Sequence, residues 1–152
     1  MAKDTIEKDV ILKRINGIQQ ELFELRKLGK LRFNEFKNGD GFKLAQYHLH
    51  RALEGVFNIS SHIISRIPGA QATQYKEIAT QLGVFNVIDK KFANTRLVEM
   101  AKYRNRLVHF YAEITEKEIY DILRNNLKDF DIFLKAIKNL LANPKKFNLS
   151  VE

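Results

Sequence analysis

The segment Arg104-Asn105-Arg106-Leu107-Val108-His109-Phe110-Tyr111 divides the chain at the point that decides how its helices are arranged. An amphipathic helical pattern precedes the segment, and a short break with a new helical pattern from about Thr115 follows it. Within eight residues it carries two guanidinium groups, an amide, an imidazole and a phenol. Polar chemistry is therefore concentrated beside an apolar core pattern.

Helical geometry limits what these side chains can do together. In a regular helix Arg104 and His109 lie about 140° apart around the axis, whereas Asn105 and His109 share one face. A single straight helix therefore does not bring the guanidinium and the imidazole together. Either the helix is distorted or ends here, or the groups converge across a dimer interface.

Arginine and histidine together suit chemistry on a phosphate. A guanidinium presents a planar fork of donors to a phosphodiester and stays charged. An imidazole, with an ordinary pKa of about 6.5, exchanges protons near neutral pH. On RNA, a base that activates the 2′-hydroxyl and a cation on the phosphate would drive cleavage without a metal. The alternative is a helix end with a solvated arginine and a capping histidine, and the spacing alone favours that alternative.

Hydrophobic periodicity predicts an all-α protein. Apolar residues recur at helical spacing in long segments, which are separated by turn signals such as 38–41 and 68–69. The predicted long helices cover about residues 4–28, 42–66, 89–108 and 115–141, and the predicted short helices cover 31–36 and 74–82. We therefore expect an up-and-down helical bundle of four long helices plus one or two short helices.

Local signals set the expected helix ends. Asp4-x-x-Glu7 and Thr115-x-x-Glu118 match capping boxes at the first and last long helices. Thr73 is the expected cap of the second short helix, and Gly83 its expected stop. The apolar link 84–88 has no strand partner, so we expect a loop or a helix entry there.

The chain length predicts a single domain. With 152 residues, the chain is expected to form one helical domain over residues 1–143. Asn143-Pro144 is the expected stop of the last helix, and residues 144–152 are expected to form a frayed tail.

Composition favours an anionic partner. The net charge is +8 and the isoelectric point is near 9.7, which suits nucleic acid but also membrane surfaces and acidic proteins. Positive charge concentrates in 90–106, where Glu99 is the single acid. The absence of cysteine excludes disulfides, thiolate zinc sites and cysteine nucleophiles, and is typical of a reducing cytoplasm. No signal peptide is expected, and no apolar run approaches the ~20 residues of a membrane span.

Three histidines lie on the second long helix. His48, His50 and His62 are interpreted as partly buried or solvated residues rather than metal ligands or catalytic groups. His48 and His50 are two residues apart and cannot face one another. If a dimer cleft forms along this helix, His48 is the one to test.

The central segment also carries a family resemblance. Arg104, Asn105, His109 and Tyr111 form an R-N-x3-H-x-Y pattern that resembles the signature of HEPN-domain ribonuclease toxins, specifically the HepT-like group. The residues Leu97-Val98-Glu99-Met100-Ala101 before the pattern and Ile114-Thr115 after it agree with the same group. The resemblance extends over about residues 45–141.

The resemblance implies a fold, an activity and a set of roles. It implies a HEPN-like bundle and a ribonuclease that acts without a metal ion or other cofactor. It implies a homodimer in which the Arg and His of both protomers line one cleft. Arg104 would bind and polarise the phosphate, His109 would transfer protons, and Asn105 would orient His109 or a phosphate oxygen. Arg106 is ambiguous: it would extend the phosphate-binding surface or simply solvate the helix.

The resemblance also implies regulation. Tyr111 matches a tyrosine to which a partner nucleotidyltransferase antitoxin transfers AMP, as in a type VII-like toxin–antitoxin system. The expected substrate is tRNA or mRNA, and no membrane partner is expected. Two alternatives remain open. One is a catalytically silent helical module that binds a nucleotidyltransferase or a nucleotide. The other is a structural dimer whose basic face binds nucleic acid non-specifically.

Overall fold

A computed structural model describes residues 4–152 and confirms an all-α fold. The helices, in chain order, are α1 (Lys8–Gly29), α2 (Phe33–Asn38), α3 (Gly41–Arg66), α4 (Tyr75–Val84), α5 (Lys90–Phe92), α6 (Val98–His109), α7 (Glu116–Asn125) and α8 (Lys128–Ala142). A π-helical turn, Ala93–Leu97, joins α5 to α6, and 3-10 turns span Tyr111–Glu113 and Pro144–Phe147. Across the described part of the chain, no helix is long and apolar enough to cross a membrane.

The long helices pack through the predicted apolar stripes. Of the residues that helical spacing predicts to face inward from α1, only Val10 is half-buried, and the others are buried: Ile6, Ile11, Ile15, Ile18, Leu22 and Leu25. The corresponding residues of α3 and its C-cap are all buried: Ala45, Leu49, Ala52, Val56, Ile63 and Ile67. The closest approach of α1 to α3 occurs at Gly55, where an added Cβ would lie 2.6 Å from Cγ1 of Ile18. Burial of this continuous core is the main stabilising contribution.

The start of α1 and the chain terminus differ from expectation. The predicted Asp4 capping box is wrong, because Glu7 precedes α1 without a side-chain cap. Strand β1 (Thr5–Ile6) instead pairs in parallel with β2 (Ser150–Val151). The prediction of no strand is therefore wrong for this one pair.

The expected frayed tail is also wrong. Phe147 and Leu149 are buried against the bundle, and Asn148 between them adopts the left-handed backbone conformation that asparagine tolerates. The amide of Ser150 donates to the carbonyl of Asp4 at 3.0 Å. The apolar side chains and the strand pairing hold the tail on the domain.

The last long helix is divided in two. Thr115 caps α7 as predicted, since its Oγ1 accepts from the amide of Glu118 at 3.2 Å. The helix then stops at Asn125, where two adjacent asparagines have a lower helix propensity than the residues before them. The break precedes the buried Asp129, which accepts from Nε and Nη2 of Arg96 on the π-helical turn at 2.9 and 2.8 Å.

The helix that carries the polar motif is capped and interrupted. The side chain of Asp89 accepts from the amide of Phe92 at 3.0 Å and starts α5. The π-helical turn then adds a residue to one turn and rotates α6 relative to α5. Helical spacing predicts that Leu107 and Val108 both face inward. Leu107 is buried, but Val108 is 37% exposed, so the prediction is wrong for Val108.

The short helix α4 begins and ends at different residues from those predicted. Gln74, not Thr73, precedes it, and it runs through Gly83 to Val84. An added Cβ on Gly83 would lie 2.8 Å from Cβ of Ala93, so this glycine permits close packing rather than ending the helix. Residues 85–88 form turns without a strand, as predicted.

Candidate active site

Arg104 lies in the last turns of α6 and turns inward toward α3. Its Nε donates to Oε1 of Glu54 at 2.5 Å, and its Nη1 donates to Oδ1 of Asn105 at 3.2 Å. The guanidinium carbon stands 4.3 Å from the ring centroid of Tyr75 on α4, a cation–π distance. The side chain is only 16% exposed, so three neighbours fix its plane.

The orientation of Arg104 leaves one edge available. Nε is committed to Glu54 and one Nη1 hydrogen to Asn105, while Nη2 has no protein partner within residues 4–152. An arginine held side-on in this way presents its outer nitrogens to an anion without reorganising. The arrangement suits a phosphate oxygen.

Glu54 also lies close to His50. Nε2 of His50, one turn earlier on α3, lies 3.6 Å from Oε1 of Glu54. Sequence reasoning missed Glu54 and Tyr75 because neither has a local motif. Glu54 would have been found by pairing the arginine of the motif with a carboxylate on the helix that packs against it.

His109 is the last residue of α6 and is exposed. Its ring meets the ring of Phe110 edge to face at 6.4 Å, and in the described chain its nitrogens make no hydrogen bond. No hydrogen bond joins it to Arg104 within 4–152. One chain thus presents the two groups from different sides of the helix end, as the 140° spacing indicates.

Arg106 is committed to a structural contact. It forms a two-pronged ion pair with Glu118 of α7, in which Nη2 donates to Oε2 at 3.3 Å. The hydrogen bond to Glu118 raises the pKa of Arg106, and the guanidinium stands 5.3 Å from the ring of Tyr103. This pairing of α6 with α7 favours neither predicted role, phosphate binding or simple solvation.

The tyrosines on either side of the motif differ in their surroundings. Burial, followed by the charge of Glu118, raises the pKa of Tyr103, whose hydroxyl has no hydrogen-bond partner among the described residues. Tyr111 is 65% exposed on a 3-10 turn, beside the exposed ring of Phe110. Tyr111 is therefore open to a modifying enzyme, and Tyr103 is not.

The three histidines of α3 each have a protein partner. Nδ1 of His48 lies 2.6 Å from Oε2 of Glu21 on α1, and Nε2 of His62 accepts from the amide of Glu7 at 3.4 Å. Across residues 4–152 no group of three or more His, Asp or Glu side chains is arranged to hold a metal ion.

The chain is similar to known proteins over most of its length. The family model described as ribonuclease HepT-like matches residues 18–137. A tRNA nuclease HepT from Aphanizomenon flos-aquae (strain 2012/KM1/D3) is 21% identical over 144 residues, which cover 94% of this chain and 97% of the relative.

Two solved structures share the fold. One is a crystal structure of a toxin–antitoxin with AMP-PNP, with a TM-score of 0.77 and 22% identity, covering 86% of this chain and 98% of that one. The other is YutE, a cytosolic protein of unknown function from Bacillus subtilis, with a TM-score of 0.78 and 19% identity, covering 95% of each chain.

Proposed function

Because this chain belongs to the HepT-like ribonuclease family, we propose that it is the toxin ribonuclease of a toxin–antitoxin pair and cleaves RNA without a metal ion. The observation that carries the proposal is the side-on clamp on Arg104, which commits Nε to Glu54 and leaves Nη2 of a largely buried guanidinium without a protein partner in the described chain. The relative named as a tRNA nuclease supports RNA as the substrate class, with tRNA or mRNA as the candidates.

The chemistry follows from the residue types. The RNA 2′-oxygen attacks the neighbouring phosphorus, and its proton passes to an imidazole. The bond from phosphorus to the 5′-oxygen breaks, and a second imidazole gives that oxygen a proton. The products are a 2′,3′-cyclic phosphate and a 5′-hydroxyl. Arg104 stabilises the charge that develops on the phosphate oxygens, and Asn105 holds Arg104.

Two copies of His109 are available only in a homodimer. The surface beside His109 carries Val108 and Phe110, which are both exposed large apolar side chains. Such a patch suits an interface with a second copy, and a two-fold axis through it would place both motifs in one cleft. The angular separation of Arg104 and His109 is then no obstacle.

Regulation would act at Tyr111. A nucleotidyltransferase antitoxin that transfers AMP to this exposed hydroxyl would add bulk and negative charge beside the cleft. An RNA phosphate would then be excluded by occupancy and by repulsion. The toxin–antitoxin structure with AMP-PNP is a fold neighbour and supports such a pairing.

RNA cleavage in EDTA tests the activity. We expect the wild type to cut tRNA or mRNA, and His109→Ala and Arg104→Ala to lose about 10²-fold or more in rate. Lys145→Ala, an exposed cation elsewhere, serves as the control. If folded His109→Ala cleaved RNA at the wild-type rate, His109 would not be the group that transfers protons. Binding to a nucleotidyltransferase without RNA turnover would instead identify a catalytically silent module.

Mixed dimers test the shared cleft. Neither Arg104→Ala nor His109→Ala should cleave alone, but a mixture contains dimers in which one intact Arg104 faces one intact His109 across the interface. We expect partial recovery of activity after subunits are exchanged between the two variants, because the mixed dimer has one imidazole to take the 2′-proton but lacks the second, which protonates the leaving oxygen. If each site lay within one protomer, the mixture would stay inactive.

A further inference from the structure

A groove runs between α1 and α3 and reaches the candidate active site. Its volume is about 460 Å³, Gly17 leaves one wall open, and Gly55 lets Ile18 pack closely beneath it. His50 and Glu54 line it, and Glu54 is the carboxylate that clamps Arg104. A strand bound at Arg104 can therefore continue directly into this groove.

Arg51 in this groove repeats the arrangement of Arg104. Its Nε donates to Oε1 of Glu21 at 2.8 Å, and its guanidinium carbon lies 5.3 Å from the ring centroid of Tyr47. Each arginine is thus held side-on by a carboxylate and stacked on a tyrosine. Each has outer nitrogens free for an anion. Arg51 lies three residues before Glu54, so the two share one face of α3.

The groove combines two arginines with two carboxylates, and protein groups already engage both carboxylates. Glu21 contacts His48 and Arg51, and Glu54 contacts Arg104. Arg14 lines the same groove and has no carboxylate partner in the part of the chain that the structure describes. A phosphate can therefore meet the unpaired Arg14 and the outer nitrogens of Arg51, whose Nε alone is committed to Glu21.

Exposed aromatic rings lie in the groove and beside it. Tyr47 lines the groove and is 56% exposed. Phe23 on α1 lines a separate cavity that shares Glu21 with the groove, and Nζ of Lys27 lies 5.4 Å from its ring centroid. Exposed rings interleaved with cations are the pattern with which proteins hold single-stranded nucleic acid, because every base can stack on a ring. A duplex would leave these rings without stacking partners.

We propose that the groove between α1 and α3 is a binding subsite for single-stranded RNA, in which Arg51 and Arg14 hold phosphates that flank the phosphate cleaved at Arg104, and Tyr47 stacks on a base. The inference rests on the proposed ribonuclease function and adds where the rest of the substrate lies. An enzyme with this subsite would cleave single-stranded regions of its RNA substrate in preference to duplex regions.

Binding to a labelled oligonucleotide tests the subsite directly. The probe is a fluorescein-labelled oligouridylate of about ten nucleotides, bound to full-length protein carrying His109→Ala so that it is not cut. We expect Arg51→Gln and Arg14→Gln to weaken binding about fivefold or more and to lower the salt slope by about one. Lys43→Gln and Lys13→Gln remove one exposed charge from the same two helices outside the groove and are the matched controls.

Cleavage of a short and a long substrate gives a second readout. In protein that retains His109 and can therefore cleave, Arg51→Gln should raise the KM for the oligonucleotide about fivefold and leave kcat within about twofold of the wild type. A dinucleotide does not extend into the groove, so its KM should not change. A similar effect on both substrates would show a structural role for Arg51 and overturn the subsite.

The failures of the two proposals are distinguishable. If the wild type cleaves RNA but Arg51→Gln and Arg14→Gln bind and cleave like the lysine controls, the subsite is wrong and the ribonuclease stands. If the wild type does not cleave, the ribonuclease fails, while the binding comparison still decides the subsite. Dissociation of the dimer by Arg51→Gln, seen by light scattering, would make the groove an interface between copies and overturn the proposal.

Discussion

The plane of Arg104 depends on a carboxylate fifty positions earlier in the chain. Glu54 is more than a counter-ion, because it accepts from Nε and leaves the outer guanidinium nitrogens free. Tyr75 covers one face of the same group, and Asn105 holds Nη1. Charge-assisted hydrogen bonds of this kind are about twice as strong as neutral ones. Loss of the charge on Glu54 would therefore loosen the arginine without removing its acceptor.

Glu54→Gln tests this positioning role. The amide oxygen can still accept from Nε of Arg104, but the weaker bond fixes the guanidinium less firmly. We expect kcat for RNA to fall about tenfold, with KM unchanged or lower because a negative charge leaves the site. Glu99→Gln, an exposed carboxylate on α6 paired with Lys102, is the control. An unchanged kcat in Glu54→Gln would show that Asn105 and Tyr75 position the guanidinium of Arg104 without the charge of Glu54.

At the scale of the elements, α3 organises the molecule. It supplies the carboxylate that holds Arg104, and it packs along the whole of α1 through the close approach at Gly55. Near its other end it holds the junction between β1 and α1. There, Nε of Arg66 donates to the carbonyl of Thr5 at 3.2 Å, and His62 accepts from the amide of Glu7. One helix therefore connects the candidate active site to the β1–β2 pair.

The contact of His62 predicts a pH dependence of stability. Burial of the ring, followed by the charge of Arg66, lowers the pKa of His62. The unfolded chain therefore takes up this proton first as the pH falls. The contribution of the neutral imidazole is complete above about pH 6.5 and is lost as the pH falls through the lowered pKa.

Urea unfolding measures this dependence. We expect the wild type to lose more stability than His62→Gln between about pH 7.5 and pH 5.5, because glutamine can accept the Glu7 amide without titrating. The other histidines contribute equally to both proteins and cancel in the comparison. Equal losses in the two proteins would mean that the His62 pKa is the same in the folded and unfolded chains.

At the scale of the whole molecule, the two ends of the chain are joined. Strands β1 and β2 pair in parallel, and Oγ1 of Thr5 lies 2.9 Å from Oγ of Ser150. Buried Phe147 and Leu149 add apolar area between the pair and α8. The tail thus closes the bundle at the end where α1 begins, so truncation at Asn143 would remove part of the core.

Phe147→Ala tests the contribution of the tail. Removal of this buried ring should lower the free energy of unfolding by about 3 kcal/mol, measured by denaturant titration. Lys145→Ala, exposed on the same 3-10 turn, should change it by no more than about 0.5 kcal/mol. If Phe147→Ala lowered the free energy of unfolding as little as the control does, the tail would not contribute to stability, as expected of a frayed segment.

The sequence by itself determined the helices and their buried faces. Helical periodicity is a local property, so the stripes of α1 and α3, the cap at Thr115 and the polar motif could all be read from neighbouring residues. The same locality explains the errors. Two irregular segments were missed: the break between α7 and α8 and the π-helical turn before α6. Arg96 of the π-helical turn pairs with Asp129, which follows the break and lies 33 residues later in the chain.

Only the tertiary structure decided which partners the polar residues take. Arg104 and Arg106 are two positions apart, yet Arg104 is held through Nε by Glu54 of α3, and Arg106 is held through both outer nitrogens by Glu118 of α7. The sequence shows two similar cations there. Which of them remains free for a phosphate depends on the rotation of α6 and on the helices packed against it, because a side chain on a helix can meet only the elements that its face contacts.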